Sequence, residues 1–182
     1  MRIISGKYAR RNLFTLKSNL TRPTSDKVKE SLFNAMGQFF NGGRVLDLYA
    51  GSGALGLEAV SRGYDSAVFV DINYAACEII KKNILLTKER ERFEIFKNSD
   101  LRAISILASR NYHFDLVFLD PPYAKEKIIK VMKIMLDANI LNEKALIVAE
   151  TDENVELPDV EGYSLINSHH LGRTKFKIYE RK

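Results

Sequence analysis

The chain of 182 residues holds a single cysteine, Cys77, so it can build neither a disulfide framework nor a cysteine-ligated metal cluster, and it fits a reducing compartment. Proline and glycine are sparse, at 4 and 10, while 28% of residues are charged, which excludes collagenous, low-complexity and disordered chains. No apolar run approaches the roughly 20 residues that span a bilayer. The first twelve residues, MRIISGKYARRN, are charged but lack the apolar core of about 7–15 residues that a secretory signal requires. These absences point to a cytoplasmic protein with no membrane partner. The length suits one domain with at most a small appendage, and with 46% hydrophobic residues it can bury about 70% of its unfolded surface.

Positive charge is abundant but unevenly placed. The net charge is +5, and residues 1–30 carry eight basic side chains against two acidic ones, whereas the remainder holds 20 against 21. A basic segment on a nearly neutral body suits a polyanionic partner, most simply a nucleic-acid backbone. Ile3, Ile4, Tyr8, Leu13, Phe14 and Leu16 interleave with the basic residues, so this segment can fold. With Ser5, Gly6 and Lys7 as its turn, it reads as a small basic hairpin.

A helix is expected over residues 25–40, capped by Ser25, with Val28, Leu32, Phe33 and Met36 on one side. From residue 44 onward strand and helix signals alternate. Short apolar runs at 44–49, 66–71, 92–97, 114–120 and 145–150 are separated by helical spacing at 54–62, 74–86, 101–109 and 125–136. Such alternation implies a mainly parallel sheet covered on both faces. Period-2 alternation at 162–167 and 175–181, with Gly172 between, reads as an antiparallel hairpin closing the sheet. There is no internal repeat and no flexible linker.

Two junctions carry chemistry. Residues 47–56 (DLYAGSGALG) place G-x-G-x-x-G between the first strand and its helix, where glycines allow a tight turn and helix N–H groups attract a polar ligand. Asp71 ends the second strand, where a carboxylate can accept both ribose hydroxyls of an adenosine. That position serves NAD and S-adenosylmethionine equally. Asp47 would repel a pyrophosphate but suits a cationic amino-acid moiety. Asp100 is placed either to accept from an adenine amine or to cap the helix that follows. The second junction is Asp120, Pro121, Pro122 and Tyr123, after the fourth strand. A carboxylate and a rigid backbone carbonyl make a two-acceptor clamp for an exocyclic amine, and Tyr123 offers a stacking face. In a parallel sheet this corner should face the glycine loop across the switch in strand order.

Together these residues resemble the class I S-adenosylmethionine-dependent methyltransferases that modify amines. The runs RIISGK (2–7), RPTSDKVKESLF (22–33), LDLYAGSGALG (46–56), NSD (98–100) and DPPY (120–123) are similar, more narrowly, to those of the RsmD-type bacterial 16S ribosomal RNA guanine-N2 methyltransferases. The resemblance implies a Rossmann-like α/β fold with a seven-stranded sheet, and a domain at 25–182 with residues 1–24 as its basic hairpin and cofactor-covering loop. It implies S-adenosylmethionine as cofactor, S-adenosylhomocysteine as product and no metal. The implied substrate is 16S rRNA in a small-subunit particle, met by a monomer. Asp120, Pro121, Pro122 and Tyr123 would be the catalytic set. Asp47, Ala50, Gly51, Ser52, Gly53, Asp71, Ile72, Asp100, Leu101 and Thr24 would hold the cofactor; Lys7, Arg10, Arg11 and Arg22 would hold RNA. Tyr123 stands where many relatives have Phe, and Lys27 and Lys29 where arginine is frequent.

His169 and His170 are adjacent in a strand and point to opposite faces, so they do not form a metal pair. Glu58 and Glu78 read as helix-surface charges, and Cys77 as a buried small residue. The competing functions are a DNA amino methylase, a glutamine methylase, an NAD-dependent oxidoreductase and an RNA-binding module without activity.

Overall fold

The computed structural model describes residues 1–16, 26–121 and 124–182; Arg22, Thr24, Ser25, Pro122 and Tyr123 lie outside the described residues. The elements follow the expected alternation: α1 (Asp26–Met36), β1 (Arg44–Asp47), α2 (Ala54–Ser61), β2 (Ser66–Asp71), α3 (Tyr74–Leu85), β3 (Phe93–Lys97), α4 (Asp100–Ser109), β4 (Phe114–Leu119), α5 (Ala124–Asp137), β5 (Leu141–Asp152), β6 (Tyr163–Leu171) and β7 (Thr174–Arg181). The strands form one sheet in the order β3-β2-β1-β4-β5-β7-β6. Its first five members are parallel, and β7 pairs antiparallel with both β5 and β6. The chain winds outward from β1 to β3, then returns to place β4 against β1, with Asp47 opposite Phe118. That reversal opens a crevice at the carboxyl ends of β1 and β4.

Each face of the sheet has its own core. On one, Ile104 and Leu107 of α4 and Val131, Met132 and Met135 of α5 pack on Leu46, Val68 and Val117. On the other, Leu32 and Phe33 of α1, Leu57 of α2 and Ile80 of α3 pack on Val45, Phe69, Phe118 and Val148. Helices α2 and α3 cover one face of the sheet and α4 and α5 the other, as right-handed crossovers about the switch require.

Three elements differ from the sequence expectation. Helix α1 stops at Met36, because Gly37 takes φ 121 and leaves the helical region. Strand β5 begins at Leu141, earlier than the apolar run suggests. Between the pairs Phe114–Leu141 and Leu116–Leu146 the register shifts, so the polar residues 142–144 form a bulge with Lys144 at φ 59. The N-terminal segment makes a single antiparallel bridge, Arg2 to Asn12, in place of two strands, and turns over residues 5–10.

That segment is fastened by a residue that the sequence suggests is a surface charge. Glu58 of α2 is fully buried, and its carboxylate accepts from the Ile4 and Ser5 backbone N–H groups at 2.8 and 3.0 Å. It also meets Lys29 of α1 at 3.1 Å and Arg62 at 2.7 Å. Lys29 is itself fully buried and donates to the Arg2 carbonyl, so it cannot reach phosphate. Burial pushes the Lys29 ammonium down from its ordinary value while Glu58 pulls it back up. A buried cation stripped of its partner is left uncompensated. Glu58→Ala is therefore expected to cost about 3–5 kcal/mol in urea-unfolding stability; a loss under about 1 kcal/mol would mean that the network holds nothing.

Candidate active site

The glycine loop is stitched across the switch point. The Leu48 N–H donates to the Phe118 carbonyl of β4 at 3.2 Å, and the Ala50 N–H to Val70 of β2 at 3.0 Å. Gly53 caps α2 in the left-handed region, with φ 75. The glycines do different work. A Cβ on Gly56 would lie 2.5 Å from the Phe69 ring, so this position lets α2 pack closely on β2. A Cβ on Gly51 would meet nothing within 4 Å, so the loop opens to a cleft there. Ser52 is held from behind by Asn83 of α3, whose amide donates to the Ser52 and Phe14 carbonyls, both at 2.9 Å.

Carboxylates line this edge. Asp71 accepts from the Gly51 N–H at 2.9 Å and the Asn73 N–H at 2.8 Å, so it shapes the loop while facing the cleft. Asp47 is buried and accepts from the Gly56 N–H at 3.1 Å; burial, with repulsion from Asp71 and Asp120, raises its pKa to about 7. Asp100 opens α4 and accepts from the Leu101 N–H at 2.8 Å, the Tyr49 hydroxyl at 2.7 Å and Lys127 at 3.1 Å. Burial disfavours its charge, but these donors outweigh burial and lower its pKa. Ile72 and Leu101, which follow Asp71 and Asp100, keep 73% and 40% of their surface exposed. Two uncovered apolar side chains beside two carboxylates are what the two faces of a planar heterocycle would cover.

Asp120 follows β4, two residues past the Phe118 that lies opposite Asp47 of β1. It is exposed to solvent, yet the protein around it removes part of its hydration. That desolvation, with repulsion from Asp152, raises its pKa to about 6. Pro121 is buried beside it. The catalytic expectations for Pro122 and Tyr123, the cofactor expectation for Thr24 and the RNA expectation for Arg22 lie outside the described residues. Farther along the edge, an open cavity of about 640 Å³ lies between α1 and the β6–β7 turn, lined by Lys27, Glu30, Asn34 and His169 among others.

Lys7, Arg10 and Arg11 are not brought to this edge. The segment runs beside α2, with Met1 near Ser52 at one end and the Lys7 N–H bonded to the Ser61 carbonyl at the other. Helix α2 spans eight residues, which separates the two ends by about 12 Å. Lys7 pairs with Glu89 at 2.6 Å, and the Arg11 guanidinium stacks 5.1 Å over the Tyr8 ring. Arg10 is exposed and makes no ion pair among the described residues.

A family model described as "Conserved hypothetical protein 95" matches residues 1–180. The chain belongs to this family. Its relatives include a protein of Bacillus subtilis (strain 168) named "Putative rRNA methyltransferase YlbH", 40% identical, with both chains covered in full. Another is the ribosomal RNA small subunit methyltransferase D of Haemophilus influenzae, 33% identical over 99% of this chain and 93% of that one. Among solved structures, a conserved hypothetical protein of Streptococcus pyogenes superposes with a TM-score of 0.80 at 44% identity, covering 85% of this chain and 96% of that one. The likeness drawn from the motifs thus extends over the whole length.

Tyr49, Asn83 and Lys127, which hold Asp100 and Ser52 in place, are marked by no sequence pattern. Tyr49 lies inside the glycine motif, and Lys127 four residues past the proline corner; neither carries a pattern that separates it from core or surface. Asp47 yields a pH test. Its native pKa lies above the ordinary 3.8, so the folded chain holds a proton that the unfolded chain releases, and stability falls as pH rises from about 4 to 7. Asp47→Asn is expected to raise Tm at about pH 8 and to leave it unchanged near pH 4. Equal effects at both pH values would deny the shift.

Proposed function

We propose that this chain transfers a methyl group from S-adenosylmethionine to the exocyclic N2 amine of a guanine in 16S rRNA. The observation that carries this reading is the placement of Asp120 and Pro121, at the end of β4, beside the glycine loop of β1 across the switch point. The relatives' names supply the substrate class: the protein is an S-adenosylmethionine-dependent rRNA methyltransferase. The choice of guanine N2 rests on the family likeness together with the acidic clamp.

The residues present fit the cofactor. Gly51 opens onto free space, Asp71 faces the cleft with acceptor capacity to spare, and Ile72 and Leu101 leave two apolar surfaces uncovered. Asp47, held by a single N–H, suits the cationic amino-acid end. Asp100 already accepts from three donors, two of them on Oδ2, which favours its role as the capping and fixing residue over that of an adenine acceptor. When bound, the cofactor supplies an electrophilic methyl carbon on a sulfonium sulfur.

The rest is positioning and electrostatics by the chain itself. An aryl amine is a poor nucleophile because its lone pair is delocalised into the ring. Asp120 Oδ and a backbone carbonyl of the proline corner accept its two hydrogens, which favours a pyramidal nitrogen with its lone pair free. With its pKa near 6, Asp120 is charged at neutral pH yet basic enough to take the amine's proton afterwards. Tyr123 stacks on the base. Arg10 and Arg11 engage flanking phosphates and not the target base. Residues 1–24 thus act as the RNA-facing extension of one domain, which works as a monomer on the assembling small subunit in the cytoplasm.

Asp120→Ala is expected to leave S-adenosylhomocysteine affinity within about twofold while transfer falls by at least about a hundredfold. Asp71→Ala should weaken that affinity, read by calorimetry. Parallel losses of binding and turnover in both variants would refute this division of labour. Reversing Arg10 and Arg11 to Glu should raise the KM for small-subunit particles about tenfold and spare cofactor affinity; an unchanged KM would move the RNA footprint elsewhere.

A further inference from the structure

Glu150 of β5 has an incomplete set of partners. Its Oε2 is buried and finds no hydrogen-bond partner among the described residues. Buried polar atoms are paired in nearly all folded proteins, because an unpaired acceptor forfeits its hydration with no return. A side chain kept in that condition is a candidate for a partner brought by a ligand.

Its location identifies the ligand. Strands β4 and β5 are parallel neighbours with Leu119 opposite Ala149, so the next pair in register is Asp120 and Glu150. Phe118 and Val148, two residues earlier, belong to the same core cluster as Phe33 of α1, and so does Phe176, opposite Glu150 on β7. Side chains two apart on a strand share a face, so Asp120 and Glu150 both point to the α1 side. Electrostatics agree: burial raises the Glu150 pKa to about 8, with further repulsion from Asp120, Asp152 and Asp47. Adjacent strands are about 4.8 Å apart, close enough for two carboxyls to grip neighbouring atoms of one ring edge.

Resting on the guanine-N2 reading above, we infer that Glu150 is a specificity-determining residue whose Oε2 accepts the ring N1–H of the target guanine while the Asp120 corner holds the adjacent amine. The chemistry separates the bases. Guanine presents a ring N–H donor beside its amine. Adenine and cytosine present a ring-nitrogen lone pair at the corresponding place, which would face the ionised Glu150 oxygen and repel it, whereas below its pKa of about 8 the protonated carboxyl could donate to that lone pair. The assignment also explains why the fold tolerates an acceptor without a partner: removing it would relieve repulsion at the cost of base choice.

The test is run at about pH 8.5, above the Glu150 pKa of about 8, on small-subunit particles reconstituted with either guanine or 2-aminopurine at the target; 2-aminopurine keeps the amine but lacks the N1–H. Wild-type protein should prefer guanine by at least about tenfold in kcat/KM, the value of one lost hydrogen bond to a charged acceptor. Glu150→Ala should bring that ratio to within about twofold of unity, with S-adenosylhomocysteine affinity unchanged and Tm equal or higher. Glu150→Gln, which keeps an acceptor oxygen, should restore part of the preference. An unchanged ratio in Glu150→Ala, with N2-methylguanine still formed, overturns the assignment alone. Absence of N2-methylguanine from the wild-type product removes the guanine reading itself, and the assignment with it.

Discussion

Mutual repulsion among carboxylates gathered at one sheet edge is the constraint on which the site depends. Asp47, Asp71, Asp100, Asp120 and Glu150 all sit at or just beyond the ends of β1, β2, β4 and β5 or at the start of α4. The protein neutralises two of them itself: Asp71 with loop N–H groups, Asp100 with Tyr49 and Lys127. Asp47 keeps one N–H, and Glu150 Oε2 has no partner among the described residues. An edge in that condition favours ligands that bring positive charge and N–H donors. A sulfonium-bearing amino acid and the amine edge of a base supply both, whereas a pyrophosphate would deepen the repulsion. The same electrostatics thus select the cofactor class and the substrate class.

The N-terminal segment is less of a free basic arm than its composition suggests. Arg2 pairs with Asp26, Lys7 with Glu89 and Lys29 with Glu58, so much of its charge is spent within the molecule. What this charge does is fasten the segment to α2 and α3, with Asn83 tying Phe14 to the back of the glycine loop. A loop shaped from behind by such contacts is preorganised before any ligand arrives, which lowers the cost of binding. Among the described residues 1–16, Arg10 and Arg11 make no ion pair and can meet an RNA backbone.

Much of the fold was legible because apolar runs and helical spacing alternate without interruption from β1 to α5, and a parallel sheet follows from that rhythm. The glycine loop, and the place of Asp120 and Pro121 just after β4, were legible for a similar reason: each joins rare residue types at a strand end. Glu58 and Lys29 were not, since a buried ion pair reads as two ordinary charges until the elements bearing them are brought together. Glu150 was hidden in the same way. It closes the apolar run at 145–150, and only the register with Asp120 sets it beside the site. The start of β5 was missed because the polar bulge at 142–144 breaks its periodicity.

The central claim is that this edge delivers a methyl group to the amine of guanine in ribosomal RNA. The most direct measurement is to incubate the protein with methyl-labelled S-adenosylmethionine and small subunits from cells lacking the modification, digest the RNA and identify the labelled nucleoside by mass spectrometry. N2-methylguanosine from one position of 16S rRNA is the expected product. Label on adenine N6 or cytosine N4, or no transfer to RNA by protein that binds the cofactor, would contradict it.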